Sequence, residues 1–306
     1  MFWNEPNNLS HWNRDLDPDW DQFATMVRLA GERLAVEAPG LPRVLGGISP
    51  IDPWFVAKLM DKGVGDAIDV VAVHGFPLDW NHWHIEEWPE RVAAVRAVCG
   101  GKPVWATEVG ASSLVSRTLQ AWALDRTAEI LLPHVERVYW YALMDLPESW
   151  EATTRHRESE GSAYFRHFRM GIYDAWGEPK PAAARLGAWA ARGVGVCEWV
   201  YWHEEARLQR MVARLRELGV RRLRTGVGWA DWDRLGSLEW FDHVLNALHE
   251  FDLTLTLCFT PARFGVLPHH TSPPCDLAAY AEFCATVVER YRDHIGTSSA
   301  TPVPIG

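Results

Sequence analysis

Seven short runs rich in aliphatic and β-branched residues alternate with eight longer amphipathic stretches along the 306 residues of this chain, and that alternation leaves few folds open. The strand-like runs are Arg43–Ile48, Ile68–His74, Pro103–Glu108, Arg137–Met144, Gly195–Tyr201, Val220–Val227 and Leu253–Phe259. The helix-like stretches are Asp19–Glu37, Pro53–Asp61, Trp88–Val98, Leu119–Leu132, Pro181–Ala191, Glu204–Leu218, Trp240–Glu250 and Leu277–Asp293. Strands separated by helices pair in parallel, because a parallel return needs a connection long enough to cross the sheet face. The count is one strand short of a (β/α)8 TIM barrel, an α/β fold whose usual size of about 250 residues fits this length. The expected organisation is a single barrel over 1–296 and a flexible tail over 297–306, rich in Ser, Thr and Pro. Leu146–Arg169 and Pro261–Asp276 break the alternation and read as long loops over one face.

In such barrels chemistry collects at the carboxyl ends of the strands, where Glu5, His74, Glu108, Trp140 and Trp229 would sit. Two carboxylates there carry the functional expectation. Phe2-Trp3-Asn4-Glu5-Pro6-Asn7 opens the chain, and Trp105-Ala106-Thr107-Glu108-Val109-Gly110-Ala111 ends the third run. An acid closing an apolar strand is costly unless it is paired. Glycosidic bonds break through an oxocarbenium-like transition state that needs one proton donor and one nucleophilic carboxylate, about 5 Å apart when configuration is retained. Glu5 and Glu108 are the candidate pair, and the proton donor of such a pair needs a raised pKa, which burial beside Trp3 could supply.

Composition narrows the partners. The 18 Trp exceed what core packing alone asks for and suit stacking on sugar faces. A net charge of −10, from 30 basic and 40 acidic residues, argues against a nucleic-acid surface. The Arg-rich stretch 206–224 alternates with apolar positions at helical spacing and reads as a solvated face. Cys99, Cys197, Cys258, Cys275 and Cys284 include no Cys-x-x-Cys pair, and read as reduced, mostly buried thiols. No run approaches the ~20 apolar residues of a membrane span, no leader pattern opens the chain, and the default location is the cytoplasm. His82-Trp83-His84 invites a metal reading together with His74, but lacks a third ligand at metal spacing. The sequon Asn8-Leu9-Ser10 reads as chance in the absence of a leader.

On these motifs the sequence resembles clan A of the glycoside hydrolases, most of all the β-xylosidase-type enzymes of family 39, over almost its whole length. Trp3-Asn4-Glu5-Pro6 is similar to the clan's fourth-strand motif, which implies Glu5 as acid/base and Asn4 as ligand of the sugar 2-hydroxyl. Thr107-Glu108-Val109-Gly110 is similar to the seventh-strand motif, which implies Glu108 as nucleophile. The same resemblance makes Arg224 the second-strand arginine that orients the nucleophile, His74 the sixth-strand histidine, and Trp140 the eighth-strand aromatic under the first sugar. Trp83 and His270, in loops rich in rings, are expected to line the substrate. The resemblance implies a retaining hydrolase of β-linked glycosides, xyloside-like or short oligosaccharides, with no cofactor and no metal. Where many clan members carry a Tyr that supports the nucleophile, this chain has Phe76, and Arg224, Tyr139 or Tyr141 would have to compensate.

The order of the motifs departs from the clan. Residues 1–194 resemble its strands four to eight and 195–296 its strands one to three, so the chain reads as a circular permutation, or as incomplete at the fourth strand. Met1-Phe2-Trp3 supply only the end of that strand, and Thr301–Ile305 is a poor replacement because each Pro removes a ladder donor. Three explanations stay open: a permutant closed by its own tail, a piece of a tandem or truncated gene, or copies that complement one another as a homo-oligomer. The alternative function is a catalytically impaired carbohydrate-binding barrel.

Overall fold

A computed structural model describes residues 1–149 and 165–295 of the chain. Residues 150–164 of the expected loop, and the expected tail with Thr301–Ile305, lie outside the described residues.

All seven expected strands form: β1 (Val44–Ile48), β2 (Val70–Gly75), β3 (Val104–Val109), β4 (Val138–Tyr141), β5 (Val194–Cys197), β6 (Arg222–Gly228) and β7 (Asp252–Cys258). They pair in parallel and in chain order. The observed strands differ from the expected ones by a few residues at their ends, most at β4 and β5, where the chain turns out of the sheet before Met144 and Tyr201. Helices run between them: α1 (Asp21–Glu37), α2 (Pro53–Asp61), α3 (Trp88–Arg96), α4 (Arg117–Leu131), α5 (Pro181–Ala190), α6 (Glu205–Glu217), the short α7 (Trp229–Trp232), α8 (Ser237–Ala247) and α9 (Leu277–Arg290). Several starts are written in the sequence. Asp52 accepts from the backbone N–H of Trp54 and Phe55 ahead of Pro53, Ser116 from that of Leu119, and Asp276 from that of Ala278. Among the described residues no helix is long and apolar enough to cross a membrane.

The first three residues close the ring. Phe2 bridges Leu45 of β1 on one side and Leu257 of β7 on the other. The alternation of a strand's backbone groups lets one short stub serve both neighbours. Phe2 N–H donates to Val44 O (2.8 Å) and Phe2 O accepts from Gly46 N–H (2.8 Å), while Trp3 N–H donates to Leu257 O (2.8 Å) and Met1 O accepts from Leu257 N–H (2.9 Å). Phe2 and Trp3 are fully buried in the core between barrel and helices. The fold is thus a TIM-barrel-like α/β ring, nearly closed by the described residues.

Below the stub no further strand pairs with the ring among the described residues. Ile295 bridges Leu253 near the start of β7, and between it and Met1 lies a small cleft of about 60 Å³ lined by Leu34, Leu41, Val44, Leu255 and Val287, among others. The carboxyl end of the ring is thus bonded all round, and the expected closure by the tail falls outside the described residues.

Candidate functional site

Five of the sequence-derived candidates converge at the carboxyl end of the ring. Glu5 and Asn4 follow the stub, His74 ends β2, Glu108 ends β3 and Arg224 lies in β6. All five are buried, His74 and Arg224 completely. Glycine makes the approach possible at one strand. A Cβ on Gly47 of β1 would lie 1.9 Å from His74 Nε2, so only glycine leaves room for that imidazole inside the barrel. Glu5 (φ 43°), Trp3 (φ 64°) and Phe259 at the end of β7 (φ 71°) all have left-handed backbones, which non-glycine residues adopt at a cost of about 1–3 kcal/mol. Strain of this kind, gathered at one mouth, aims side chains inward where a regular strand would not.

The two carboxylates share His74 as a neighbour. Its Nδ1 is 2.8 Å from Glu5 Oε1 and 3.6 Å from Glu108 Oε2, and one oxygen of each carboxylate lies within 4.8 Å of the other. His74 Nε2 meets Thr107 Oγ1 at 2.9 Å. On its other side Glu5 Oε2 accepts from Asn8 Nδ2 at 3.1 Å and lies 3.4 Å from His11 Nδ1. Glu108 Oε1 pairs with the Arg224 guanidinium, whose second amino group donates to Asn4 Oδ1 at 2.6 Å. Cys197 Sγ completes this side, 3.0 Å from Arg224 and 3.8 Å from Glu108.

The electrostatics follow from burial and from these pairs. Burial pushes the His74 pKa down to about 3, so at neutral pH the imidazole carries no charge and its contacts are dipolar. Burial works against ionisation of Glu108, but His74 and Arg224 outweigh it and hold the carboxyl below its ordinary value. Burial likewise opposes charge on Arg224, and its acidic neighbours raise its pKa in spite of that. Cys197 is held as a thiol, chiefly by burial. Glu5, His74 and Glu108 are the grouping of His, Cys, Asp and Glu among the described residues whose ligand atoms come close enough for a metal. A dication there would stand beside the Arg224 cation, so the arrangement suits proton transfer and charge stabilisation better than metal binding.

Other candidates are placed elsewhere. Trp140 packs in the core between barrel and helices, because alternation along β4 turns Tyr139 and Tyr141 inward and Trp140 outward. Trp229 also joins that outer core, stacked on Phe264 and Phe283. Trp83 lies edge-on to Trp88 with the Arg91 guanidinium 4.5 Å from its ring. His270 abuts Phe259, one ring removed from Trp3 and Trp199. Of the proposed substitutes for a tyrosine at 76, Tyr139 bonds to Thr254 and Arg137 deeper in the barrel, and Tyr141 pairs with His167. Support for Glu108 comes instead from Arg224 and Cys197. The Arg-rich stretch is not wholly solvated: Arg207 is buried, 2.6 Å from Glu198 and bonded to the Met144 and Asp145 carbonyls.

Sequence reasoning passed over Thr107, Asn8, His11, Cys197 and Trp199. Asn8 and His11 follow Glu5 within the same loop, and Trp199 sits just past β5 with its ring 5.7 Å from the Arg224 guanidinium. Position at the carboxyl end of a strand was the available signal for Trp199.

No protein-family model and no curated protein matches the sequence. Among solved structures the chain is similar to a glycoside hydrolase family 17 β-1,3-glucanosyltransferase from Rhizomucor miehei, at 15% identity and a TM-score of 0.37, over 52% of this chain and 56% of that one. It is also similar to a type I 3-dehydroquinate dehydratase from Clostridium difficile, at 12% identity and a TM-score of 0.44, over 82% and 93% of the two chains. A family 2 β-galacturonidase from Eisenbergiella tayi is similar at 16% identity and a TM-score of 0.30, over 46% of this chain and 31% of that one. The chain thus spans just over half the length of the first of these. The likeness is one of architecture alone.

Proposed function

We propose that the protein is a retaining glycoside hydrolase acting on β-linked glycosides. The observation that carries this reading is the approach of Glu5 and Glu108 to within 4.8 Å, with Arg224 bonded to one of them alone. That separation suits double displacement, in which no water has to fit between the carboxylates in the first step. Glu108, kept ionised, attacks the anomeric carbon as Glu5 gives its proton to the leaving oxygen. Glu5, now a carboxylate, takes a proton from the water that displaces Glu108, and configuration is retained. With Asn4 Oδ1 held by Arg224, its amide NH2 is the group left to meet the sugar 2-hydroxyl. Trp199 and Phe259 supply apolar walls for the ring. Xylosides and short oligosaccharides are the first substrates to try, and reading Met1–Trp3 as the end of the clan's fourth strand makes the chain a circular permutant of that clan.

Hydrolysis of a panel of nitrophenyl β-glycosides, with the anomer of the first product followed by NMR, tests the reading. The expected result is turnover with retention, and its loss by several orders of magnitude in Glu108→Gln. A cooperatively folded chain that hydrolyses none of the panel would favour a second reading, a carbohydrate-binding barrel. Phe76 supports that one, since it lies tilted against Trp80 with centroids 4.5 Å apart and offers the nucleophile no hydrogen-bond donor.

A further inference from the structure

Thr107 has no assigned role beyond preceding Glu108, yet it is completely buried and its hydroxyl is 2.9 Å from His74 Nε2. We infer that Thr107 is a positioning residue: its hydroxyl donates to His74 Nε2 and thereby holds the imidazole, protonated at Nδ1, with that N–H directed between Glu5 and Glu108. The inference rests on the glycosidase reading only for its catalytic consequence.

Hydrogen-bond accounting supports the assignment. A neutral imidazole has one donor and one acceptor nitrogen, and the nitrogen that carries the proton is set by the partner of the other. Nδ1 faces carboxylate oxygens, 2.8 Å from Glu5 and 3.6 Å from Glu108, and an ionised carboxylate can only accept. Were the proton on Nε2, the bare Nδ1 would confront the ionised Glu108, and the buried Thr107 proton would lose the acceptor that Nε2 offers. With the proton on Nδ1 every group is matched: Thr107 O–H donates to Nε2, and Nδ1–H donates to Glu5 Oε1. The charged and titratable groups around the ring are Glu5 and His11 from the loop after the stub, Glu108 from β3 and Arg224 from β6, and none of them competes for Nε2. Gly47 opens the space that brings the imidazole between these partners.

The consequence is directional. With Oε1 of Glu5 accepting from His74 throughout, the proton that Glu5 gives and takes back rides on Oε2. Removing the Thr107 hydroxyl frees the imidazole to turn, and the acid loses the donor that orients it.

The test uses the full chain labelled with ¹⁵N in histidine, the His74 signals being identified by their loss in His74→Gln or, if that variant does not fold, in His74→Asn. Long-range ¹H–¹⁵N spectra of the wild type and of Thr107→Ser should show a protonated Nδ1 and a bare Nε2 at the upfield position of an acceptor that holds a hydrogen bond, and Thr107→Val, in which the carboxylates still face Nδ1, should move the Nε2 signal downfield. A wild type protonated at Nε2, or an Nε2 signal unmoved by Thr107→Val, overturns the inference. kcat should fall by about tenfold in Thr107→Val with KM little changed, and Thr107→Ser should restore it, as expected for one lost hydrogen bond that orients the acid. A kcat unmoved by Thr107→Val overturns the catalytic consequence. A wild type with the Nδ1–H pattern and no turnover on any glycoside upholds the assignment and overturns the glycosidase reading instead.

Discussion

The two ends of the barrel are built on opposite terms. At the carboxyl end Asn4, Glu5, His74, Glu108 and Arg224 are buried side by side, and each meets a polar partner within hydrogen-bond range. At the amino end the described residues of the same ring leave a small, largely apolar cleft of about 60 Å³. A functional constellation at the mouth needs only the last few residues of a strand to aim its side chains. Stability needs the strand's whole length, since paired backbone and buried apolar area accumulate along it. The difference teaches that three residues suffice to complete the mouth, while the described residues pack the opposite end less fully.

The sharpest way to break the comparison is to make the mouth as incomplete as the cleft. Arg224→Met leaves Glu108 buried without its cation and frees Asn4 to turn. Loss of about 3–5 kcal/mol in stability is expected, as when one partner of a buried pair is removed, and kcat/KM should fall by at least about a hundredfold. Chemical denaturation together with turnover on the best glycoside of the panel measures both. If stability falls but turnover survives in the folded fraction, the pair is structural and the mouth has no special claim to function.

Phe2→Ala attacks the seam between the two ends. Phe2 is about 1% exposed and bridges β1 and β7, so its truncation should cost about 3–5 kcal/mol. Its backbone bonds survive the change. The expected outcome is a large fall in denaturation midpoint with KM little altered in the protein that remains folded. A loss of activity far beyond the unfolded fraction would show that the stub aims Glu5 through Phe2 itself and is more than a plug.

How much of this was legible beforehand can be argued from particular residues. The seven strands were visible because buried parallel strands are written as dense Val, Leu and Ile runs, and Glu5 and Glu108 stood out because acids end such runs only at a cost. Trp140 was placed at the mouth by motif likeness, but β4 keeps strict alternation and sends it outward between Tyr139 and Tyr141. Thr107 was invisible for a different reason: its meaning depends on a histidine 33 residues away reaching the same point in the barrel, through a gap that Gly47 leaves. Closure by Met1–Trp3 was hidden as well, because no local pattern tells that three residues can bond to two strands at once.

Acid should weaken the mouth before the cleft feels it. His74 is held near pKa 3 in the folded chain against 6.5 in its ordinary state. The unfolded chain therefore binds one proton more in the interval between, so stability is complete above about pH 6.5 and declines as the pH falls toward 3. Between pH 6.5 and 5, above the range where ordinary carboxylates titrate, the slope should approach 1.4 kcal/mol per pH unit, about 2 kcal/mol in all. Denaturation curves across that window check it, and His74→Gln should flatten the slope. A slope that persists in the variant would assign the acid sensitivity elsewhere.

The smallest expected effect comes from improving the other end. Val288 of α9 lines the cleft and is buried, so Val288→Ile adds one methylene toward that cleft. If that space can be filled without displacing β7, stability should rise by up to about 0.8 kcal/mol, with kcat and KM unchanged, because the added group lies at the amino end of the ring. The same addition to a close-packed core usually destabilises. A gain here, measured by denaturant midpoint at constant m-value, would therefore identify the amino end as underpacked in solution, whereas a loss would mean that the cleft walls already meet there and that the two ends of the barrel differ less than their geometry suggests.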